Sequence, residues 1–110
     1  AAALGDIGRH FPDTDPAYKN ISSLLLLKYV YGMISDRYEV YNVDSVIIAQ
    51  RPKLAPYLEE MRENIARTLR IDRDKVSVKA KTNEGLGLIG KGEAIAAWAS
   101  VLIFERGEGR

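Results

Sequence analysis

The fold is decided by residues 39–81, which read EVYNVDSVIIAQRPKLAPYLEEMRENIARTLRIDRDKVSVKAK. Residues 39–49 are rich in valine, isoleucine and tyrosine, which favour β-strands, and the Arg-Pro pair at 51–52 ends this segment in a loop. Pro56 suits a first helical turn, and the apolar residues after it recur at helical spacing, namely Leu58, Met61, Ile65 and Leu69. Residues 75–81 alternate between apolar and polar side chains, as in a half-buried strand. The stretch therefore predicts a strand, a helix and a second strand.

Further elements are predicted on both sides of this stretch. Residues 22–36 predict a helix that is apolar on more than one face, so we expect it to be covered on both sides. Residues 93–104 predict a strand because of their Val-Leu-Ile-Phe end, although their alanines also suit a helix. Residues 5–20 are polar and interrupted by prolines, which predicts a loop, and we expect the tail at 105–110 to be frayed.

The composition describes a single domain with little net charge. The chain has 110 residues, and its 16 basic residues face 15 acidic ones, for a net charge of +1. This balance argues against general binding to nucleic acid or to an anionic membrane. There is no cysteine, and no apolar run is long enough to span a bilayer, so we expect a cytoplasmic protein. We treat residues 1–110 as one domain that is incomplete at its N-terminus, because Ala1 to Leu4 resemble the last turn of a helix that Gly5 ends.

Carboxylates and the single histidine cluster near the start of the chain. Asp6, His10, Asp13 and Asp15 lie within ten residues, and oxygen and nitrogen ligands at such spacings can surround a divalent ion. Aspartates next to proline and threonine are also common in ordinary loops, because their side chains bond to the nearby backbone. A metal site and a structural loop both remain open at this point.

The glycine-rich segment 85–92, GLGLIGKG, matches G-x-G-x-x-G and nearly matches a phosphate-binding loop. A dinucleotide site also needs a following helix and an acidic residue about 20 positions later, and a phosphate loop needs serine or threonine where Gly92 stands. We therefore expect a flexible loop between two antiparallel strands. Lys91 is still free to meet a phosphate as a point charge.

Two other polar segments follow predicted strands. The group at 81–84 combines a cation, a hydroxyl, an amide and a carboxylate, which suits either polyphosphate binding or a simple polar turn. The segment at 49–53, Ala-Gln-Arg-Pro-Lys, could offer backbone amides and carbonyls to the edge of a base, although this pattern alone is weak.

Taken in order, these segments resemble the 2-C-methyl-D-erythritol 2,4-cyclodiphosphate synthase family. The resemblance runs from Ala1 to about Phe104, and it rests on GDIGRHFPDTDP at 5–16, NVD at 42–44, IIAQRPK at 47–53 and VKA at 78–80 followed by Thr82 and Glu84. It implies a lyase of the non-mevalonate route to isoprenoids, which cyclises 4-diphosphocytidyl-2-C-methyl-D-erythritol 2-phosphate and releases CMP. The implied assembly is a homotrimer with its sites between subunits, and the implied fold is α+β, a mixed sheet with helices on one face and subunit contacts on the other.

The resemblance also implies a role for each segment. The methylerythritol group would contact Asp6, Ile7 and Gly8, under a loop made of Phe11, Pro12, Asp13, Thr14 and Asp15. The cytosine pocket would consist of Ala49, Gln50, Arg51, Pro52, Lys53, Leu54 and Ala55. Thr82 would stabilise the transition state, and Glu84 would hold the magnesium or manganese that bridges the diphosphate. The remaining substrate contacts would be Lys81, Asn83, Leu88 and Lys91.

The departures from the family pattern concern the metals first. The family's zinc ligands would all lie before Ala1, and His10 occupies a position that is not a ligand, so we expect no zinc ligand in this chain and no activity from it alone. Three sites differ as well: Lys81 replaces threonine, Lys91 replaces arginine, and Leu88-Ile89 replace phenylalanine-threonine.

Two other interpretations remain open. The first is a noncatalytic trimeric module that binds cytidine nucleotides and has lost the metal half of the site; the second is a regulatory trimer without a nucleotide site. The resemblance implies the cytoplasm as the location, or the plastid in an organism that has one.

Overall fold

The computed structural model describes residues 1–107 and contains a three-stranded sheet with helices on one face. The elements in chain order are α1 (Ile7–His10), α2 (Ser23–Ile34), β1 (Tyr38–Ile48), α3 (Leu58–Leu69), β2 (Val76–Lys81), α4 (Gly87–Gly90) and β3 (Ala96–Glu105). The strand order is β2-β1-β3, with β1 parallel to β2 and antiparallel to β3. The predicted α+β fold with a mixed sheet is confirmed.

Helix α3 is the crossover that allows β1 and β2 to run parallel. A 3₁₀ turn with Pro56 leads into it, and two glutamates lie in its first turn, where negative charge is favourable. It ends at Arg70, whose φ of 58° lies in the left-handed region. The Nε of Arg62 donates to the carbonyl of Val76 at 2.7 Å. This bond ties the helix to the first residue of β2.

The core lies between the sheet and helices α2 and α3. It consists of the buried residues Tyr31, Val40, Val43, Ala66, Leu69 and Val76. Val40 and Val43 are three positions apart, which in a regular strand would place them on opposite faces. A register shift against β3 between Val40 and Asn42 acts as a bulge and turns both valines toward the helices.

Three sequence expectations about helices and loops are wrong. Helix α2 is covered on one side only, since it buries Tyr31 and leaves Leu24, Tyr29 and Met33 more than 40% exposed. The predicted loop 5–20 contains the one-turn helix α1, because the Asp6 side chain accepts the N–H of Gly8 at 3.0 Å and caps it. The predicted loop 85–92 contains α4, and it does not connect neighbouring strands, because β1 lies between β2 and β3.

The tail predicted to fray at 105–110 is ordered at its beginning. Glu105 is the last residue of β3 and pairs with Tyr38. Arg106 donates from its backbone to the carbonyl of Arg37 at 2.8 Å, and its guanidinium lies 2.7 Å from the Glu39 carboxylate. Residues 108–110 lie outside the described residues.

The face of the sheet away from the helices carries no covering element among residues 1–107. Because Val43 pairs with buried Val76 and faces the helices, the alternate positions point the other way. We call this surface the open face, and it includes Asp44, Val46, Lys79, Trp98 and Leu102. Trp98 is 65% exposed and Leu102 is 56% exposed. Within residues 1–107 no helix has the length and apolar character needed to cross a bilayer.

An ion pair on the open face predicts a specific pH dependence. The Nζ of Lys79 donates to the Asp44 carboxylate, and this bond lowers the pKa of Asp44 below its ordinary value of 3.8. A carboxylate with a lowered folded-state pKa adds stability above its unfolded pKa and loses it as the pH falls through the folded pKa. We therefore expect Asp44→Asn to lower the Tm at pH 6, and the deficit to shrink as the pH falls below about 4.

Thermal unfolding of both proteins from pH 6 to pH 2.5 checks this expectation. Lys79→Met is the matched variant, because it removes the same pair from the other side. A Tm deficit of Asp44→Asn that stays constant across this pH range would contradict the proposed contribution of the pair.

Candidate functional site

The carboxyl ends of β1 and β2 meet at one edge of the sheet. Ile48 pairs with Lys81, and the N–H of Ala49 donates to the Lys81 carbonyl at 3.1 Å. The segments that follow the two strands therefore leave the sheet side by side, in the position where open α/β sheets commonly bind ligands. A cavity of about 260 Å³ lies between them, lined by Ala49, Gln50, Pro52, Lys53, Leu54, Ala55, Leu58, Ala80, Lys81 and Thr82. The structure thus brings together two of the segments singled out in the sequence.

The polar segment after β2 forms a turn with internal hydrogen bonds. The Asn83 carbonyl accepts the N–H of Leu86 at 2.9 Å, and the Asn83 side chain donates to the Leu86 carbonyl at 2.8 Å. The Thr82 hydroxyl accepts the N–H of Glu84 at 3.4 Å. Glu84 has a φ of 55°, which non-glycine residues rarely adopt, and its side chain is exposed. The turn holds the Glu84 carboxylate in solvent, two residues from the cavity wall.

The glycine-rich segment packs against this turn. A Cβ atom at Gly90 would lie 2.2 Å from the carbonyl carbon of Gly85, so the backbone of α4 touches the turn directly. Arg51 does not line the cavity; its guanidinium lies beside Gly92 and donates to the Lys91 carbonyl at 3.5 Å. Leu88 and Lys91 are exposed on this segment and lie outside the cavity lining. The loop expected to be flexible is therefore held at both of its ends.

The N-terminal segment forms a separate cluster. The ring of Phe11 lies 5.2 Å from that of Tyr18 and 6.3 Å from that of Tyr29. The Asp15 side chain accepts the N–H of Ala17 at 2.9 Å, and Asp13 is exposed. None of the predicted contacts between Asp6 and Asp15 is among the residues that line the cavity. Within one chain, the structure does not bring the predicted methylerythritol contacts to the cytosine pocket.

The residues of the possible N-terminal metal site do not converge on one point. Asp6 caps α1, Asp15 caps a turn, and the Nε2 of His10 lies 2.8 Å from the Leu4 carbonyl. Across residues 1–107, no three histidine, aspartate or glutamate side chains converge closely enough to hold an ion. The residues in this part of the chain therefore do not fit a zinc site.

Cations lie around the cavity. Lys53 and Lys81 line it, and Arg51 and Lys91 lie on the adjoining segments. All four are exposed. Positive charge converging on a concave surface attracts anionic ligands such as phosphates. Together with the nearby carboxylate, these groups match the composition of a site for a nucleotide diphosphate and a hard cation.

Comparison with known proteins agrees with the resemblance seen in the sequence. The model of the YgbB family matches residues 1–104. The chain belongs to this family. The match to the YgbB family covers every residue of the described strands except Glu105, the last residue of β3.

Sequence relatives and solved structures agree. The chain is 58% identical over 104 residues to the 2-C-methyl-D-erythritol 2,4-cyclodiphosphate synthase of Syntrophomonas wolfei, covering 94% of this chain and 66% of that protein. It is 44% identical to the bifunctional IspDF structure from Campylobacter jejuni, with a TM-score of 0.87 over 96% of this chain and 29% of that one. It is 38% identical to the Plasmodium falciparum IspF structure in complex with CDP, with a TM-score of 0.78 over 94% of this chain and 62% of that one. The chain thus spans about two thirds of the length of the Syntrophomonas wolfei protein.

These names bear on the interpretations that the sequence left open. The identification with the cyclodiphosphate synthase family is confirmed. Because the relatives carry the name of an enzyme, the comparisons do not support the noncatalytic module.

Sequence reasoning missed two features of the candidate site. Leu58 and Ala80 line the cavity, and their positions at the start of α3 and near the end of β2 could have suggested this. Gly85 and Gly90 meet backbone to backbone, and no local pattern predicts such a contact.

The two implied kinds of metal fit this chain differently. Magnesium and manganese are commonly held by one or two carboxylates together with substrate phosphates, and the exposed Glu84 beside the cavity fits this chemistry. Zinc needs three or four protein ligands, which the residues described here do not assemble.

Proposed function

We propose that the chain is part of a synthase that closes 4-diphosphocytidyl-2-C-methyl-D-erythritol 2-phosphate into 2-C-methyl-D-erythritol 2,4-cyclodiphosphate and releases CMP. The observation that carries this proposal is the cavity at the carboxyl ends of β1 and β2, where the segment 49–55 meets Thr82. The base would lie against one wall, and the phosphates would extend toward Lys81 and Glu84. The family membership supports the same assignment.

The wall formed by residues 49–55 is suited to bind cytosine through the backbone. Four of its seven residues, Ala49, Pro52, Leu54 and Ala55, have no polar side-chain group, so in this proposal the peptide groups of the segment supply donors and acceptors to the base. Lys53 lines the same cavity and can approach the first phosphate as a point charge.

The reaction needs positioning and charge neutralisation more than it needs a protein nucleophile. An oxygen of the substrate's own 2-phosphate would attack the diphosphate phosphorus that is bonded to the methylerythritol oxygen. The bond from that phosphorus to the bridging oxygen would break, and CMP would leave with this oxygen. The hydroxyl of Thr82 would donate to the charge that develops on the transferred phosphoryl group, and Lys81 would neutralise it. Magnesium or manganese, when held by Glu84, would supply electrostatic stabilisation of the diphosphate. The proposed reaction therefore requires no catalytic serine or cysteine.

The methylerythritol end of the site requires a second subunit in this proposal. Residues Asp6 to Asp15 lie outside the cavity of their own chain, so a neighbouring copy would supply them. In this proposal the open face forms the contacts of a homotrimer, and the apolar surface that Trp98 and Leu102 expose on it, uncovered within residues 1–107, supports a subunit interface there. These two observations support a site shared between subunits.

The trimer predicts that a charge at Trp98 will separate the subunits. Placing arginine in an apolar contact buries a charge, and Asp44, the acidic side chain of the open face, is already paired with Lys79. We expect Trp98→Arg in the full-length protein to sediment as a monomer, where the unchanged protein sediments as three subunits. Met33→Arg is the matched control, because Met33 is exposed on α2, away from the open face. A trimeric Trp98→Arg protein would contradict the assignment of this face.

Nucleotide binding tests the proposal directly. We expect calorimetry with the full-length protein to show binding of CDP that strengthens when manganese is added, and binding of CMP that changes much less. If the zinc ligands lie outside these 110 residues, the chain alone should bind cytidine nucleotides without turnover. Absence of CDP binding by the full-length protein would exclude the proposed function. We assign the protein to the cytoplasm as part of this proposal.

A further inference from the structure

The Gln50 side chain connects the two walls of the cavity. Its Oε1 atom accepts the backbone N–H of Gly85 at 3.2 Å, across 35 positions of sequence. Gln50 also lines the cavity and is half-buried. It therefore belongs to the segment that would contact the base while holding the turn that carries Glu84.

The hydrogen bond from Gly85 to Gln50 constrains the backbone at Glu84. The N–H of Gly85 is part of the planar peptide unit that joins Glu84 to Gly85, so the bond fixes the orientation of that plane. Glu84 has a φ of 55°, a left-handed conformation that is costly for a non-glycine residue and needs support from its surroundings.

The opposite side of the turn is also fixed. The backbone of Gly90 packs against Gly85 so closely that a Cβ at position 90 would lie 2.2, 2.7 and 2.8 Å from three Gly85 atoms. The turn is therefore held between α4 and Gln50. Of these two supports, Gln50 is the one that lines the cavity.

We propose that Gln50 is a positioning residue that couples a nucleotide in the cavity to the orientation of the Glu84 carboxylate. This inference rests on the proposed function, because it uses the cavity as the base site and Glu84 as the metal-binding carboxylate. A nucleotide that orders segment 49–55 also orders the Gln50 amide, which in turn fixes the Glu84–Gly85 peptide. By linkage, a metal on Glu84 strengthens nucleotide binding by the same factor by which the nucleotide strengthens metal binding.

Two variants of the full-length protein separate this role from a general structural one. Gln50→Met keeps the length of the side chain and removes the acceptor, whereas Gln50→Glu keeps an acceptor oxygen. The first readout is amide hydrogen exchange at Gly85. We expect its protection to be lost in Gln50→Met and retained in Gln50→Glu.

The second readout is the ratio of CDP dissociation constants without and with manganese. We expect Gln50→Met to reduce this ratio about tenfold, and Gln50→Glu to stay much closer to the unchanged protein. Because each variant is compared with itself, a change in base affinity or in local charge that acts equally with and without metal cancels.

The outcomes are distinct. Two results would overturn the role of Gln50 and leave the proposed function standing. One is Gly85 protection that persists in Gln50→Met; the other is a ratio of CDP dissociation constants without and with manganese that does not change when protection is lost. An unchanged protein that binds no CDP would overturn the proposed function, and this inference with it.

Discussion

Replacing Glu84 with alanine is expected to reduce CMP release by the full-length enzyme on the order of 10²–10³-fold, the range for losing one group that stabilises transition-state charge. Glu84 is exposed in a turn beside the cavity and faces no competing ion pair in the structure of residues 1–107. Its removal should therefore affect the diphosphate and its metal, with little effect on folding. Steady-state kinetics at saturating magnesium, together with a magnesium titration, measure the loss.

Pro52→Gly is the matched comparison for Glu84→Ala. Pro52 lies in the base wall, and glycine there adds conformational freedom to the unbound loop, which weakens binding of the base. We expect Glu84→Ala to weaken CDP with manganese far more than CMP, and Pro52→Gly to weaken both nucleotides together. Equal effects of the two substitutions on both nucleotides would contradict the separate roles proposed for the two walls.

Gly90→Ala is expected to be the most damaging of the glycine-to-alanine substitutions in the described part of the chain. The new methyl group would overlap the carbonyl carbon of Gly85, and backbone cannot rotate away as a flexible side chain can. Overpacking of this kind costs about 1–3 kcal/mol in the free energy of unfolding. If α4 shifts instead, the turn that holds Glu84 moves with it, and CMP release falls even where the fold survives.

Gly32→Ala provides the control. Gly32 lies in α2, and a Cβ there meets no atom within 4 Å, so alanine should raise stability by up to about 1 kcal/mol. Chemical denaturation of the two variants gives the comparison. A Gly90→Ala protein that is as stable and as active as Gly32→Ala would show that the contact with Gly85 does not constrain the site.

The regular elements were predicted from the sequence because their patterns are local. The helical spacing of Leu58, Ile65 and Leu69 marks α3, and the alternation at 75–81 marks β2. Both agree with the structure to within two residues. The short helices α1 and α4 were missed because four residues contain little periodicity, and their formation depends on a cap at Asp6 and on packing at Gly85.

The site was predictable only as separate segments. Residues 49–55 and 81–84 each carry a polar pattern, but their meeting depends on the parallel pairing of Ile48 with Lys81, which no local pattern reveals. The Gln50 contact with Gly85 was missed for the same reason, since it spans 35 positions. The roles of the N-terminal aspartates came from the family resemblance, and they remain predictions because those residues lie outside the cavity.

The central claim is that the cavity between segments 49–55 and 81–84 binds the cytidine end of a diphosphate that undergoes cyclisation. The most direct measurement is phosphorus NMR of the full-length protein incubated with 4-diphosphocytidyl-2-C-methyl-D-erythritol 2-phosphate, zinc and magnesium. We expect CMP and a cyclic diphosphate to appear in equal amounts, and both to be lost with Glu84→Ala. Absence of CMP, or release of CMP without the cyclic diphosphate, would contradict this account.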